Sequence, residues 1–187
     1  MRVLDFDNTI YRGESVLDFY LYSLRYNPAA VRYVVLVVSY ALRYKLGKMT
    51  LEQLEAGCAK YAHAYIASFA EPEKMVVSFW DRHMKKIKSW YKPQPDDVIL
   101  TASFNVMMDE VCRRLGVQHC ICSVINKETL QVEYLNFNRN KKTAFLKQFG
   151  AAARIDAFYT DNASDLPMLD ISERAFLVHV SLIRQIN

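Results

Sequence analysis

The 187 residues carry 24 Lys+Arg against 20 Asp+Glu, a formal net charge of +4, with 52% hydrophobic and 24% charged residues. That balance excludes a disordered tail, a collagen-like fibre and a disulfide-stapled mini-protein. A charge of +4 is too mild to argue for nucleic acid as a partner, and the length fits one domain with a sizeable insertion or two small domains.

In chain order, Val3-Leu4 reads as a very short strand running into Asp5-Phe6-Asp7-Asn8-Thr9. From Ser15 to about Lys92 the pattern is helical, with stretches over 16–26, 28–46, a third starting at Thr50, and 72–90. Thr50 with Gln53 has the spacing of a capping box, and Lys92-Pro93-Gln94-Pro95 breaks the helical run. Strand and helix then alternate: strands at 98–100, 119–125, 131–135, 155–159 and 175–178, and helices at 104–115 and 141–149, with a helical turn near 166–171. Gly116 and Gly150 stop the two helices. This alternation predicts a mostly parallel sheet with right-handed crossovers. The first strand therefore belongs with the C-terminal half, giving an α/β core of 1–11 and 96–187 and a helical insertion of 12–95. The insertion holds 13 Lys+Arg and 7 Asp+Glu, a net +6, and the remainder nets −2.

Cys58, Cys112, Cys120 and Cys122 are too few and too scattered for a disulfide framework, and no targeting segment precedes Val3. They read as buried structural thiols in a reducing, cytoplasmic setting. His63, His83, His119 and His179 have no ligand spacing. The uncharged run Tyr33–Leu42 is about half of the ~20 residues a membrane span requires. Arg32, Ser39 and Arg43 line one side of its helical wheel, and Val31, Val35, Val38 and Leu42 another. A helix packed inside the insertion is the preferred reading; a basic amphipathic helix touching a membrane surface is the alternative.

The chemistry gathers at strand ends, where a parallel sheet places its ligands. Asp5 and Asp7 follow the first strand, and carboxylates this close repel unless a cation or proton lies between them. Asp161 and Asp165 follow another strand, making an oxygen nest suited to Mg²⁺. Thr101-Ala102-Ser103 follows a third, offering a hydroxyl and amides to a phosphate. Lys142 opens a helix and offers the compensating positive charge. Their joint arrangement, motif after motif at strand ends, carries more weight than any one alone.

In these motifs the chain resembles the haloacid dehalogenase superfamily phosphatases, of the subfamily that includes phosphoserine phosphatase. Asp5-Phe6-Asp7-Asn8-Thr9 is similar to the first motif, Thr101 to the second, Lys142 to the third, and Asp161 with Asp165 to the fourth. The resemblance covers essentially the whole chain. It implies a Rossmann-like core with an α-helical cap inserted between the first and second motifs. It makes Asp5 the nucleophile that forms an aspartyl-phosphate and Asp7 the acid for the leaving oxygen. Mg²⁺ would be held by Asp5, the Asp7 carbonyl and Asp161, and the phosphoryl oxygens by Thr101, the Ala102 amide and Lys142. Asp165 would support the metal or orient the lysine, and Lys141 competes with Lys142 for the third motif. Glu14 stands where the phosphoserine enzymes meet the substrate amine, whereas their carboxylate-binding cap arginine would fall near Ala56 and is missing.

The expected activity is Mg²⁺-dependent hydrolysis of a small phosphorylated metabolite, with no nucleic acid as partner. Two rivals stand beside it. One is a lipid-phosphate (phosphatidylglycerophosphate-type) phosphatase at the membrane surface. The other is a phosphate-binding receiver that does not turn over. Oligomeric state is not legible in the sequence.

Overall fold

The computed structural model describes the backbone of residues 1–187 and every side chain except those of residues 41, 45, 51, 55, 58, 163, 164 and 166. Seven strands form one sheet: β1 (Arg2–Leu4), β2 (Val98–Phe104), β3 (His119–Ile125), β4 (Val132–Tyr134), β5 (Ala157–Thr160), β6 (Ala175–His179) and β7 (Leu182–Gln185). Their order is β4-β3-β2-β1-β5-β6-β7. β1 is central and pairs in parallel with both β2 and β5. The two outermost strands, β4 and β7, run antiparallel to their neighbours. β7 is absent from the sequence reading because all four of its residues are exposed, so it shows no inward-outward alternation.

The helices are α1 (Ser15–Ser23), α2 (Val31–Lys45), α3 (Leu51–Ile66), α4 (Pro72–His83), α5 (Asn105–Leu115) and α6 (Arg139–Phe149). Strand alternation divides the buried side chains between two faces. Val3, Val98, Leu100, Ile121 and Phe158 pack with Phe145 of α6 and with Met168 and Ile171 of a 3₁₀ segment, Ala163–Ile171. Leu4 and Ile99 join Phe79 and Trp80 of α4 and Met107, Met108 and Val111 of α5 on the other face. Phe6 inserts into this second cluster, edge-on to Trp80 with ring centroids 6.0 Å apart. The Trp80 indole N–H donates to the Met107 carbonyl at 2.9 Å, so the large ring is buried with its polar atom satisfied.

The expected elements recur with shifted ends. Thr50 caps α3 in a reciprocal box with Gln53, and Gly116 ends α5 in the left-handed conformation at φ 71°. Helix α4 stops at His83 rather than near residue 90, because a 3₁₀ turn over Met84–Lys86 leads to Ile87, which bridges antiparallel to Tyr11. Strand β2 continues through Thr101 to Phe104, so the helix begins one residue later than expected. The buried cluster runs unbroken from Leu4 and Ile99 through α4 to Phe19, Tyr33 and Tyr65 of the inserted helices. Within the segment 12–95, α4 thus shares its core with the sheet.

Candidate active site

The parallel pairing of β1 with β2 and β5 brings three strand ends side by side. Asp5 follows β1, Thr101 lies within β2, and Asp161 follows β5. The Asp5 amide donates to the Tyr159 carbonyl at 2.8 Å, which ties the first motif to the fifth strand. Phe6 turns into the aromatic core and is fully buried, leaving Asp5 and Asp7 for the polar side.

Asp5 is itself 7% exposed. The Lys141 ammonium donates to its Oδ1 at 2.7 Å and to Asp165 Oδ2 at 2.9 Å, and Thr160 Oγ1 also donates to Asp165 Oδ2 at 2.9 Å. Burial alone would lower the lysine's pKa, but the flanking Asp5 and Asp165 carboxylates reverse that and hold it above the ordinary lysine value. The third-motif assignment is therefore corrected. Lys142 points outward to the exposed carboxylate of Asp170 at 2.8 Å, whereas Lys141 is 94% shielded from solvent and lies on Asp5. One residue along a helix turns a side chain by about 100°, so only one of two adjacent lysines faces the site.

Asp7 is held from two directions. The Ser15 amide, at the start of α1, donates to its Oδ1 at 2.6 Å, and the Ser103 hydroxyl donates to its Oδ2 at 3.0 Å. Asp7 thereby satisfies the α1 terminus that Glu14, the N-cap residue, leaves without a side-chain bond. Burial pushes the Asp7 carboxyl up to about 6, only partly offset by the bonds from Ser15 and Ser103. Asp161 is likewise raised, first by burial and then by the neighbouring charges of Asp5 and Glu14.

The end of β2 is pinned by residues absent from the sequence reading. Asn136, fully buried, donates from Nδ2 to the Thr101 and Ile121 carbonyls, both at 2.9 Å. Ser123 Oγ donates to the Ala102 carbonyl at 2.7 Å. The ladder between β2 and β3 shifts register between Leu100 and Phe104, so the backbone around Thr101 and Ala102 departs from regular pairing. Thr101 is 1% exposed and Ala102 partly buried.

Lys88 was also missed. It is 6% exposed, donates to the Asn8 carbonyl, and is attracted by Asp161. Burial lowers its pKa, and the neighbouring positive charge of Arg12 adds to the shift. Asn8 has φ 55° and donates from Nδ2 to Glu14 Oε1 at 2.8 Å. Glu14 is thus turned toward the first motif. No local pattern marks Lys88 as a site residue or ties Ser103 to Asp7; these contacts reach back 80 and 96 residues.

The donor set fits a hard divalent cation. Asp5 and Asp161 repel each other strongly enough to raise the Asp161 pKa, a repulsion that a bound cation would relieve. The buried Oδ1 of Asp165 has no hydrogen-bond partner among the described residues. Among the described residues no three His, Cys, Asp or Glu side chains converge as a metal cage. Mg²⁺ needs only one or two carboxylates, completed by backbone oxygen and water.

A mostly parallel sheet with carboxylates at its central strand ends, and helices inserted between β1 and β2, defines a doubly wound α/β fold with its site at the strand ends. The sequence profile of the haloacid dehalogenase-like hydrolases matches residues 3–170, and the chain belongs to that family. None of the curated proteins matches it by sequence. Among solved structures, a protein of unknown function from Bordetella pertussis Tohama I superposes with a TM-score of 0.67 at 16% identity, over 94% of this chain and 87% of that one. A haloacid dehalogenase family hydrolase from Salmonella enterica serovar Typhi gives 0.57 at 13% identity, over 91% and 59%. A phospho-aspartyl intermediate analogue of phosphoserine phosphatase gives 0.53 at 13%, over 93% and 83%. At these identities the likeness is one of fold.

Among the described residues Cys112, Cys120 and Cys122 are free thiols; Cys58 lies outside the described side chains. No described helix is long and apolar enough to cross a membrane.

Proposed function

We propose that this hydrolase cleaves a phosphomonoester of a small phosphorylated metabolite through an aspartyl-phosphate on Asp5. The observation that carries the reading is the buried Lys141 bridge to Asp5 at 2.7 Å and Asp165 at 2.9 Å. It sets a cation where an attacking carboxylate meets a phosphoryl group of the same sign.

Asp5 attacks phosphorus, and Lys141 offsets the charge that gathers on the equatorial oxygens. Asp7, whose pKa of about 6 keeps part of it protonated near neutrality, gives its proton to the leaving oxygen. The resulting carboxylate then takes a proton from the water that hydrolyses the acyl-phosphate. Thr101 and the Ala102 amide hold phosphoryl oxygens, and Asp165 positions Lys141. Mg²⁺ held by the Asp5 carboxylate, the Asp7 carbonyl and Asp161 would supply charge neutralisation and orientation. The Ser103–Asp7 bond supports turnover over a receiver, which has no use for a positioned acid.

Phosphoserine fits poorly. Ala56 of α3 stands near where the phosphoserine enzymes carry the arginine that meets the substrate carboxylate. The free thiols fit the reducing, cytoplasmic setting.

The test is release of phosphate from an aryl phosphate in the presence of Mg²⁺, followed by a panel of phosphorylated metabolites. Asp5→Asn should abolish turnover; a largely active variant overturns the assignment of the nucleophile.

A further inference from the structure

The outward face of α2 carries Val31, Val35, Val38 and Leu42, with Leu46 just past its end, and these are 50, 63, 39, 55 and 66% exposed. Spacings of three and four residues put them in one stripe along the helix. Arg32, Ser39 and Arg43 are exposed beside it, while Tyr33 and Val34 on the other side are buried. Single exposed apolar residues need no explanation; five aligned on one helix do.

The charge around the stripe selects what covers it. Residues 19–51 contain no aspartate or glutamate, yet include basic residues at 25, 32, 43, 45 and 48. Two such faces from two copies would bring Arg32 and Arg43 of each together, with no carboxylate on α2 itself to pair them. A lipid surface rich in anionic headgroups offers both an apolar boundary and negative charge.

We propose that α2 docks this protein on an anionic membrane surface. The Val31-to-Leu46 stripe enters the headgroup–acyl boundary, and Arg32 and Arg43 meet lipid phosphates along its edge. The helix lies in the interface and does not span, being 15 residues long. Docking is a property of this face and is independent of the reaction proposed for Asp5.

The test is co-sedimentation of the full chain with phosphatidylcholine vesicles, with and without phosphatidylglycerol. Binding is expected only with phosphatidylglycerol and should weaken as salt rises. Arg32→Gln with Arg43→Gln should lower the partition coefficient about 30-fold at low salt. Val35→Asp with Leu42→Asp should lower it at least about tenfold. Both pairs alter exposed side chains, and an unchanged melting temperature verifies folding without reference to activity. Three results overturn the proposal: no pelleting with phosphatidylglycerol vesicles, pelleting indifferent to Val35→Asp with Leu42→Asp, or a solution dimer that this pair dissociates.

Discussion

The Ser103 hydroxyl donates to Asp7 Oδ2 at 3.0 Å, joining the end of β2 to the first motif across 96 residues of chain. Ser15 completes the arrangement: its amide donates to Asp7 Oδ1 at 2.6 Å, and its Oγ lies 3.2 Å from that of Ser103. The proposed acid is thus held by one strand end and one helix start, and cannot swing away without breaking both bonds. Ser103→Ala is expected to lower kcat by about 10- to 100-fold with KM little changed, the size of a lost bond to a charged group. Because the serine bond lowers the Asp7 pKa, its removal should move the corresponding limb of the pH–rate profile to higher pH. An unshifted profile would show that Ser103 is only structural.

Adjacent lysines should behave oppositely. Lys141→Ala removes the cation shared by Asp5 and Asp165, and kcat/KM should fall by about 10²- to 10³-fold. Lys142→Ala breaks only a surface pair with the exposed Asp170, and activity should stay within about twofold. Steady-state kinetics on one aryl phosphate compares the two directly.

Stability of the metal-free protein should depend on pH. Asp5, Asp7 and Asp161 all have folded-state pKa values raised above the ordinary carboxylate value, with burial as the first cause. The unfolded chain therefore ionises first. The contribution of these groups is fully present below about pH 4 and is lost as pH rises through about 6 for Asp7. In chelator, Tm attributable to this cluster should fall between pH 5 and pH 7.5. Added Mg²⁺ should raise Tm more at pH 7.5 than at pH 5, because protons no longer compete for the carboxylates. Equal Mg²⁺ shifts at both pH values would argue against the Asp5–Asp161 metal site.

A buried carboxylate outside the site, that of Asp97, is structural. Asp97, fully buried, accepts two bonds from Arg2 at 2.8 Å, one from the Tyr91 hydroxyl at 3.0 Å and one from the Gln94 amide at 2.9 Å. It fastens the start of β1 to the loop before β2. Asp97→Ala leaves these donors without their acceptor and should cost about 3 kcal/mol, or roughly 9 °C in Tm. Denaturant unfolding monitored by circular dichroism measures it.

Lys88 is expected to matter for turnover although it lies in the helical insertion. Its ammonium holds the Asn8 carbonyl and faces Asp161. Lys88→Met should reduce kcat/KM by about tenfold or more, the loss of a charged hydrogen bond. Retention of the wild-type value would confine Lys88 to packing.

The sequence by itself determined the parts whose physics is local. A hydrophobic dipeptide running into Asp5-Phe6-Asp7 marks a strand end; Thr50 with Gln53 marks a helix start, and Gly116 a helix stop. Alternating periodicities yielded the parallel sheet and the insertion. Tertiary structure alone decided the rest. Whether Lys141 or Lys142 faces Asp5 depends on the phase of α6, set where the chain enters it at Asn138 with φ 48°. Ser103 meets Asp7, Asn136 meets Thr101 and Lys88 meets Asn8 only because β2, the turn after β4 and the end of the insertion pack around the end of β1. A hydrogen bond acts over about 3 Å, and chain separations of 35 to 96 residues carry no trace of that proximity until packing closes the loops.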